Sequence, residues 1–377
     1  MPVSDLSALR TQIDETDEKI IKLLAERAEL VKQAVAAKKE NKTAAYSKER
    51  ESYLLTSRRE MAKKYGVPEG LASDILKRIL RESYHGGEGR YARLMKTPGD
   101  VVIVGGNGGM GSIFKRYFEN SGYQVFCFGH RGWDRAPEYL KNARIVIVTV
   151  PIDITVQVIE QLSPLLRDDM ILCDFTSVKG PIVEAMLRCH KGPVLGLHPM
   201  FGPDVKSLVK QVIVTVPARD EEASRFLVEQ FSLWGATIVN TKASEHDRAM
   251  RIIQALRHFT TYCYGLFMAS IGQDLHTLLE LSSPIYRMEL MMVGRLFAQD
   301  PRLYADIIMS SKENYELLAS YVESLREELS VIADKDVEGF TQRFLKAREY
   351  FGDDADSFLK ESGAILAKLQ DERVKEC

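Results

Sequence analysis

The stretch Val101-Val102-Ile103-Val104-Gly105-Gly106-Asn107-Gly108-Gly109-Met110-Gly111 organises the reading of the whole chain. Val101 to Gly106 is an apolar, strand-like run. It feeds directly into a G-x-G-x-x-G, and the helical segment SIFKRYFEN follows. That order has a physical use. The first glycine, Gly106, makes a tight turn, and the second, Gly108, lets backbone approach a pyrophosphate. The third, Gly111, lets helix and strand pack closely, while the helix N-terminus attracts phosphate charge. Strand, glycine turn and helix in sequence predict dinucleotide binding. An acid usually ends the second strand, about 20 residues on, and holds the ribose 2′-OH. Here that place reads Phe128-Gly129-His130-Arg131-Gly132, and the next acid is Asp134. Arg131 and His130 suit a 2′-phosphate, and they equally suit a solvated loop. NAD and NADP both stand on the residues alone.

Downstream, short β-branched runs alternate with helical stretches. The runs begin at Tyr123, Arg144, Met170, Pro193 and Gln211. This rhythm predicts a parallel sheet covered on both faces. The strand-like runs stop near Asn240, and from Glu245 onward the pattern is helical. Upstream, His85 to Asp100 is rich in glycine and basic residues and reads as a linker. Before it, apolar residues recur at helical spacing from Leu6 to about Lys39, with Ser4 as the candidate N-cap. A second helix fits Lys48 to Tyr65, ending at Gly66, and a third fits Leu71 to Tyr84. Three such helices leave an open core that a dimer would complete.

The bulk numbers exclude several classes. At 377 residues the chain exceeds one compact core. Hydrophobic residues at 45% and charged residues at 28% fit a soluble globular protein, and a net charge of −2 points to neither nucleic acid nor an anionic membrane. Five cysteines without a C-x-x-C argue against a disulfide framework or a zinc ribbon and fit a reducing cytoplasm. The first nine residues lack the pattern of a signal peptide, and no apolar run is long enough to span a membrane.

Two places carry candidate chemistry. His198, in Gly196-Leu197-His198-Pro199, follows an apolar strand, and ligands of open α/β sheets bind beyond the carboxyl ends of strands. With an ordinary pKa near about 6.5, histidine accepts a proton at neutral pH. A loop histidine with a satisfied backbone bond is the plain alternative. Asp174, Ser177 and Lys179 follow another strand, where Thr176 or Ser177 as a helix cap explains them. In the first helix, Arg27 and Lys38 fall on the apolar stripe, about 20° apart around the axis and about 16 Å along it. An anion between them would relieve two buried cations; long basic side chains covering apolar surface is the alternative. Arg10 lies about 80–100° round the axis from both and suits a neighbouring subunit.

The first ~90 residues resemble the all-helical chorismate mutases, on Ala8-Leu9-Arg10-x-x-Ile13-Asp14, Arg27, Lys38 and Glu49-Arg50-Glu51. That resemblance implies that the arginines and lysine clamp the carboxylates and ether oxygen of chorismate, with Arg10, Arg27, Lys38, Arg50 and Glu51 as site residues. The family usually has Gln or Glu facing the ether oxygen near the end of the last helix. Here Gly86 and Gly87 fall there, with Glu88 as the candidate replacement. From about Val101 to Asp353 the chain resembles prephenate dehydrogenase, carried by VLGLHPMFGPD, IQALRHF, LSSPIYRMEL, VGRLFAQD and LYADIIMS. Together the two resemble the bifunctional chorismate mutase/prephenate dehydrogenase (T-protein) family. The resemblance implies His198 as catalytic base and Thr149 beside the nicotinamide, where the family has Ser. It implies Gln254 and His258 near the substrate or inhibitory tyrosine, Arg295 on a substrate carboxylate, and Arg287 as carboxylate contact or helix support. The implied architecture is an all-α segment (1–92), an α/β Rossmann-type nucleotide-binding domain (99–243) and an all-α substrate-binding and dimerisation domain (244–377). It implies NAD or NADP as cofactor, no metal, chorismate and prephenate as substrates, and a cytoplasmic homodimer. Three alternatives fit parts of the chain: a dehydrogenase with a weak N-terminal assembly domain, a non-catalytic nucleotide-binding regulator, and an enzyme acting on arogenate.

Overall fold

A computed structural model gives the fold and describes residues 6–40, 44, 46–85 and 91–373. The chain divides into two compact units, Met1–Ser244 and Glu245–Cys377. The first opens with α1 (Leu6–Glu40), α2 (Lys48–Lys64) and α3 (Glu69–His85). Ser47 caps α2 by accepting from the Arg50 amide at 3.1 Å, and Gly66, at φ 69°, lets the chain turn out of that helix. The apolar stripe of α1 is uncovered: Leu9, Ile13, Ile20 and Leu24 are 41%, 59%, 50% and 40% exposed. Ser4 and the Gly86-Gly87-Glu88 segment lie outside the described residues.

The sheet follows: β1 (Asp100–Val104), α4 (Gly109–Asn120), β2 (Val125–Phe128), α5 (Ala136–Leu140), β3 (Ala143–Val148), α6 (Ile152–Leu162), β4 (Ile171–Asp174), α7 (Gly180–Cys189), β5 (Val194–Pro199), β6 (Val212–Arg219), α8 (Glu221–Leu233) and β7 (Thr237–Asn240). The strand order is β2-β1-β3-β4-β5-β6-β7. Alternation along β1 fills two cores. Val101 and Ile103 pack with Phe114, Phe118 and Trp234 on one face; Val102 and Val104 pack with Leu140, Ile159 and Leu162 on the other. Both faces are covered, as a largely parallel sheet requires.

The expectation of an all-parallel sheet is corrected at one pairing. β5 meets β6 antiparallel, with Gly196 opposite Val216 and His198 opposite Val214, and β7 then runs parallel to β6. A parallel neighbour needs a crossover, usually helical, and residues 200–211 hold no helix. A second correction concerns Thr176 and Ser177. Neither caps a helix: α7 starts at Gly180, with Lys179 at the cap position and no side-chain cap bond. A third concerns His198, which is part of β5 rather than a loop.

α9 (Ala243–Met250) leads into the second unit. A π-helical turn, Arg251–Leu256, follows it, then α10 (Arg257–Ile271), α11 (Leu275–Glu280), α12 (Pro284–Phe297), α13 (Pro301–Ile308), α14 (Lys312–Ala333), α15 (Val337–Phe351) and α16 (Asp354–Arg373). Asp274, Ser283 and Ser311 cap α11, α12 and α14. Gly265 lets α10 approach α12: a Cβ there would stand 2.7 Å from Phe297 Cζ. Among the described residues no helix is long and apolar enough to cross a membrane.

Candidate functional site

In the sheet, the glycine turn is tighter than its motif alone suggests. The left-handed residue is Gly105, at φ 88°, one position before the G-x-G-x-x-G. A Cβ on Gly105 would stand 2.5 Å from the Thr149 carbonyl oxygen, so only glycine fits. Gly106 sits against Cys127, and a Cβ on Gly111 would lie 2.6 Å from Gly106 Cα. Gly108 is the N-cap of α4 and supplies no side-chain cap, which leaves first-turn amides facing outward. That is a cradle for a pyrophosphate: space without side chains, at the positive end of a helix. These residues fit a dinucleotide. The Gly105 amide also bonds the Phe128 carbonyl at 2.6 Å, which brings the exposed His130 and Arg131 loop beside the turn.

The remaining sheet residues gather at adjacent strand ends. Thr149 follows β3, and its amide bonds the Val104 carbonyl at 2.8 Å. Asp174 ends β4 and pairs in register with Val148 and Gly196. His198 lies two residues past Gly196 and is 3% exposed. Pro203, in the segment after His198, folds over the glycine turn, since a Cβ on Gly109 would stand 2.8 Å from Pro203 Cβ. Behind His198 lies a pair whose arrangement the sequence reading missed. The Lys179 ammonium, fully buried, bonds the fully buried Asp174 carboxylate and donates to the Leu197 carbonyl at 2.7 Å. The Asp174 carboxylate also takes the Thr176 amide at 2.9 Å and the Thr176 hydroxyl. Gly196 leaves room for the lysine stem, with its would-be Cβ 3.3 Å from Lys179 Cδ. An acid closing a fully apolar strand was the available signal, but cap chemistry explained it equally well.

On the N-terminal helices, Arg27 of α1 donates to Ser83 Oγ of α3 at 3.0 Å. Lys38 of α1 is pulled below the ordinary lysine pKa, first by burial and then by the charge of Arg50. Glu51 of α2 accepts from the Tyr84 hydroxyl at 3.1 Å and pairs with the Lys210 ammonium at 2.5 Å. Burial, and then the neighbouring Glu51 carboxylate, push the Tyr84 hydroxyl above the usual tyrosine range, so it remains a donor. Arg27 thus meets Ser83, Glu51 meets Tyr84, and Lys38 lies near enough to Arg50 to sense its charge. Arg10 is exposed and about 25 Å along α1 from Arg27, apart from this group.

In the second unit, Gln254 sits within the π-helical turn, a distortion frequent at functional sites. His258 is one turn on. Its ring meets Tyr304 edge-on with centroids 4.8 Å apart. Burial and then the charge of Arg257 lower the His258 pKa to about 4, so the ring is neutral at physiological pH. Tyr304 is raised by burial, opposed by the charges of Arg257 and Arg295, which places Arg295 of α12 in the same neighbourhood.

Three family profiles match the chain: chorismate mutase type II at residues 9–86, the prephenate dehydrogenase nucleotide-binding domain at 132–239, and the prephenate dehydrogenase dimerization domain at 242–346. The T-protein of Enterobacter agglomerans is 46% identical, covering 98% of this chain and all of that one. The chain belongs to the bifunctional chorismate mutase/prephenate dehydrogenase family. The T-protein of Haemophilus influenzae is 44% identical over 97% of each chain. The fold of the later part is shared with prephenate dehydrogenase from A. aeolicus, solved with hydroxyphenyl propionate and NAD+. That match covers 67% of this chain and 99% of the other, at TM-score 0.52 and 18% identity. Members of this bifunctional family serve tyrosine biosynthesis, and this chain carries both activities, chorismate mutase and prephenate dehydrogenase.

Proposed function

We propose that Arg27, Lys38, Arg50 and Glu51 carry the mutase step and that His198 is the base of the dehydrogenase step. The mutase step rearranges chorismate to prephenate within one molecule and needs no nucleophile. The cations hold the reactive conformer and oppose negative charge growing on the ether oxygen. An anion set beside Lys38 and Arg50 favours the charged lysine, which their proximity otherwise disfavours. Arg10 serves the mutase site of a second copy, and the uncovered stripe of α1 supports that assembly.

For the second step, Gly106, Gly108 and Gly111 hold the dinucleotide, with Thr149 beside its nicotinamide. The bound nicotinamide supplies the hydride acceptor. His198 takes the proton of the ring hydroxyl, and loss of the ring carboxylate as CO2 aromatises the product to 4-hydroxyphenylpyruvate. Arg295 holds a substrate carboxylate; Gln254 and His258 contact prephenate or tyrosine, the feedback inhibitor. NAD is the cofactor, and Arg131 is the residue through which NADP would be accepted. The functional domains are 1–92, 99–243 and 244–377, in a cytoplasmic homodimer. The free cysteines among the described residues support the compartment, and the dimerization-domain match supports the assembly.

What carries this reading is a buried histidine at a strand end of the sheet whose first strand leads into a glycine cradle, joined in one chain to helices on which Lys38 senses Arg50. Purified protein given chorismate and NAD+ should lose chorismate and form reduced nucleotide together. Lys38→Ala should cut chorismate loss by roughly 10²-fold or more, the scale of a missing charge stabiliser. Prephenate supplied directly should still reduce the nucleotide. A mutase rate within a few-fold of the parent would remove Lys38 from the mechanism.

A further inference from the structure

We propose that Lys210, a residue of the nucleotide-binding part of the chain, is a positioning residue of the mutase site, acting through Glu51. This rests on the assignment of Glu51 to that site. Lys210 closes the link between β5 and β6, far in sequence from the mutase helices, yet its ammonium lies 2.5 Å from Glu51 Oε1. The Glu51 side chain is 12% exposed and that of Lys210 is 49% exposed. The same ammonium stands over the Tyr46 ring, 5.3 Å from its centroid, and Tyr46 meets Tyr84 edge-on at 5.9 Å. Tyr84 in turn donates to the other oxygen of Glu51. The carboxylate is therefore gripped from both sides, by one residue of α3 and by one outside the mutase helices.

The backbone of Lys210 is held in an unusual conformation. Its φ is 66°, the left-handed region that non-glycine residues rarely adopt. Its amide is pinned to the Gly235 carbonyl at 2.9 Å, and the next amide bonds the Leu208 carbonyl at 3.0 Å. Gly235, itself at φ 96°, is where Tyr46 packs: a Cβ there would stand 3.4 Å from Tyr46 Cβ. Strain of this kind persists where the surroundings over-determine it, commonly at functional sites. Glu51, Tyr84 and Lys210 also line a cavity of about 440 Å³ with Lys77, Arg81 and Lys206. Among the described residues Glu51 is the only acid in that lining, and Lys210 and Tyr84 both hold it.

A carboxylate has about four acceptor positions. With Lys210 and Tyr84 fixing the plane, Glu51 retains capacity for a substrate hydroxyl. A half-exposed ion pair contributes little to stability, so its consequence is orientation rather than folding. The mutase site is thereby completed by the domain that performs the next reaction.

The test uses the full chain. Lys210→Met should lower mutase kcat about tenfold, the scale of a modest loss of positioning. The dehydrogenase rate on supplied prephenate should stay within twofold of the parent. Lys210→Arg should recover most of the mutase loss. Lys210→Gly keeps the left-handed backbone without a side chain and should lower mutase kcat to the same extent, with an unchanged unfolding transition as the control for folding. The Lys210→Met effect should vanish in a Glu51→Gln background. Mutase activity of Lys210→Met within twofold of the parent, or a parallel loss of both activities, overturns the proposal. If Glu51→Gln alone keeps mutase activity, the assignment of Glu51 fails and the proposal falls with it. If Glu51→Gln loses it while Lys210→Met does not, only the role of Lys210 is wrong.

Discussion

Asp174, Lys179 and His198 are at most 3% exposed at the strand ends, whereas Arg27, Lys38 and Glu51 on the N-terminal helices are only partly covered. The apolar neighbours differ the same way. Val101 to Val104 are fully buried, while the stripe of α1 lies open. A sheet covered by helices on both faces makes its own dry interior, so polar groups there must be satisfied by fixed partners within the fold. Three helices cannot do this alone. Their charges keep contact with solvent, and their geometry depends on neighbours outside the helical segment, such as Lys210. On the assignments proposed above, one set of residues is held by burial and the other by its neighbours.

The contrast breaks first at His198. His198→Asn keeps the size and the strand but cannot take the hydroxyl proton. Dehydrogenase kcat should fall by about 10³-fold, within the usual span for a lost general base, with little change in KM for prephenate. The mutase rate should not move. A normal kcat in steady-state assays would remove the base from this position and leave the buried histidine as packing.

The next effect is on stability. Lys179→Met strands the Asp174 carboxylate without its cation in a fully buried place, where Oδ1 already accepts no hydrogen bond among the described residues. Breaking a buried pair from one side should cost at least about 3 kcal/mol in denaturant unfolding. Lys179→Met combined with Asp174→Leu should regain much of that loss, because no charge is then left uncompensated. The corresponding test on the helices, Lys63→Met opposite the exposed Glu60, should leave stability almost unchanged, because solvent screens an exposed pair. Equal costs at the two places would mean that burial does not separate the regions.

These differences were unevenly legible beforehand. The glycine turn announced itself because strand, turn and helix each have a local signature, though the left-handed residue proved to be Gly105. The direction of β6 was hidden, since an apolar run reads the same either way along a sheet; the missing helix in residues 200–211 was the only clue. Asp174 and Lys179 were hidden behind a plausible helix cap at Thr176 or Ser177, and only their burial reveals them as a pair. Periodicity gave α1 correctly but not its exposure, because what covers a stripe is not written in the stripe. The contact of Glu51 with Lys210 had no signal at all. It joins positions far apart in sequence, and nothing local at either end requires the other.

The smallest expected effect follows from the partial covering of Lys38. On the role proposed for Lys38 the mutase step uses its ammonium, and burial together with the charge of Arg50 holds its pKa below that of an ordinary lysine. A lowered pKa means that the proton is lost at lower pH, so activity should fall on the alkaline side earlier than for a free lysine. The fall in kcat/KM reports the empty site, and the fall in kcat reports the occupied one. A bound dianion opposes the charge of Arg50 and favours the ammonium, so the alkaline limb of kcat should lie at higher pH than that of kcat/KM. Arg50→Gln removes only the second cause. It should lower the rate overall and raise the kcat/KM limb part of the way, leaving the contribution of burial. Coincident limbs for kcat and kcat/KM would mean that the mutase cations are as fixed as the buried pair, and that the two regions differ in solvent contact but not in how they hold charge.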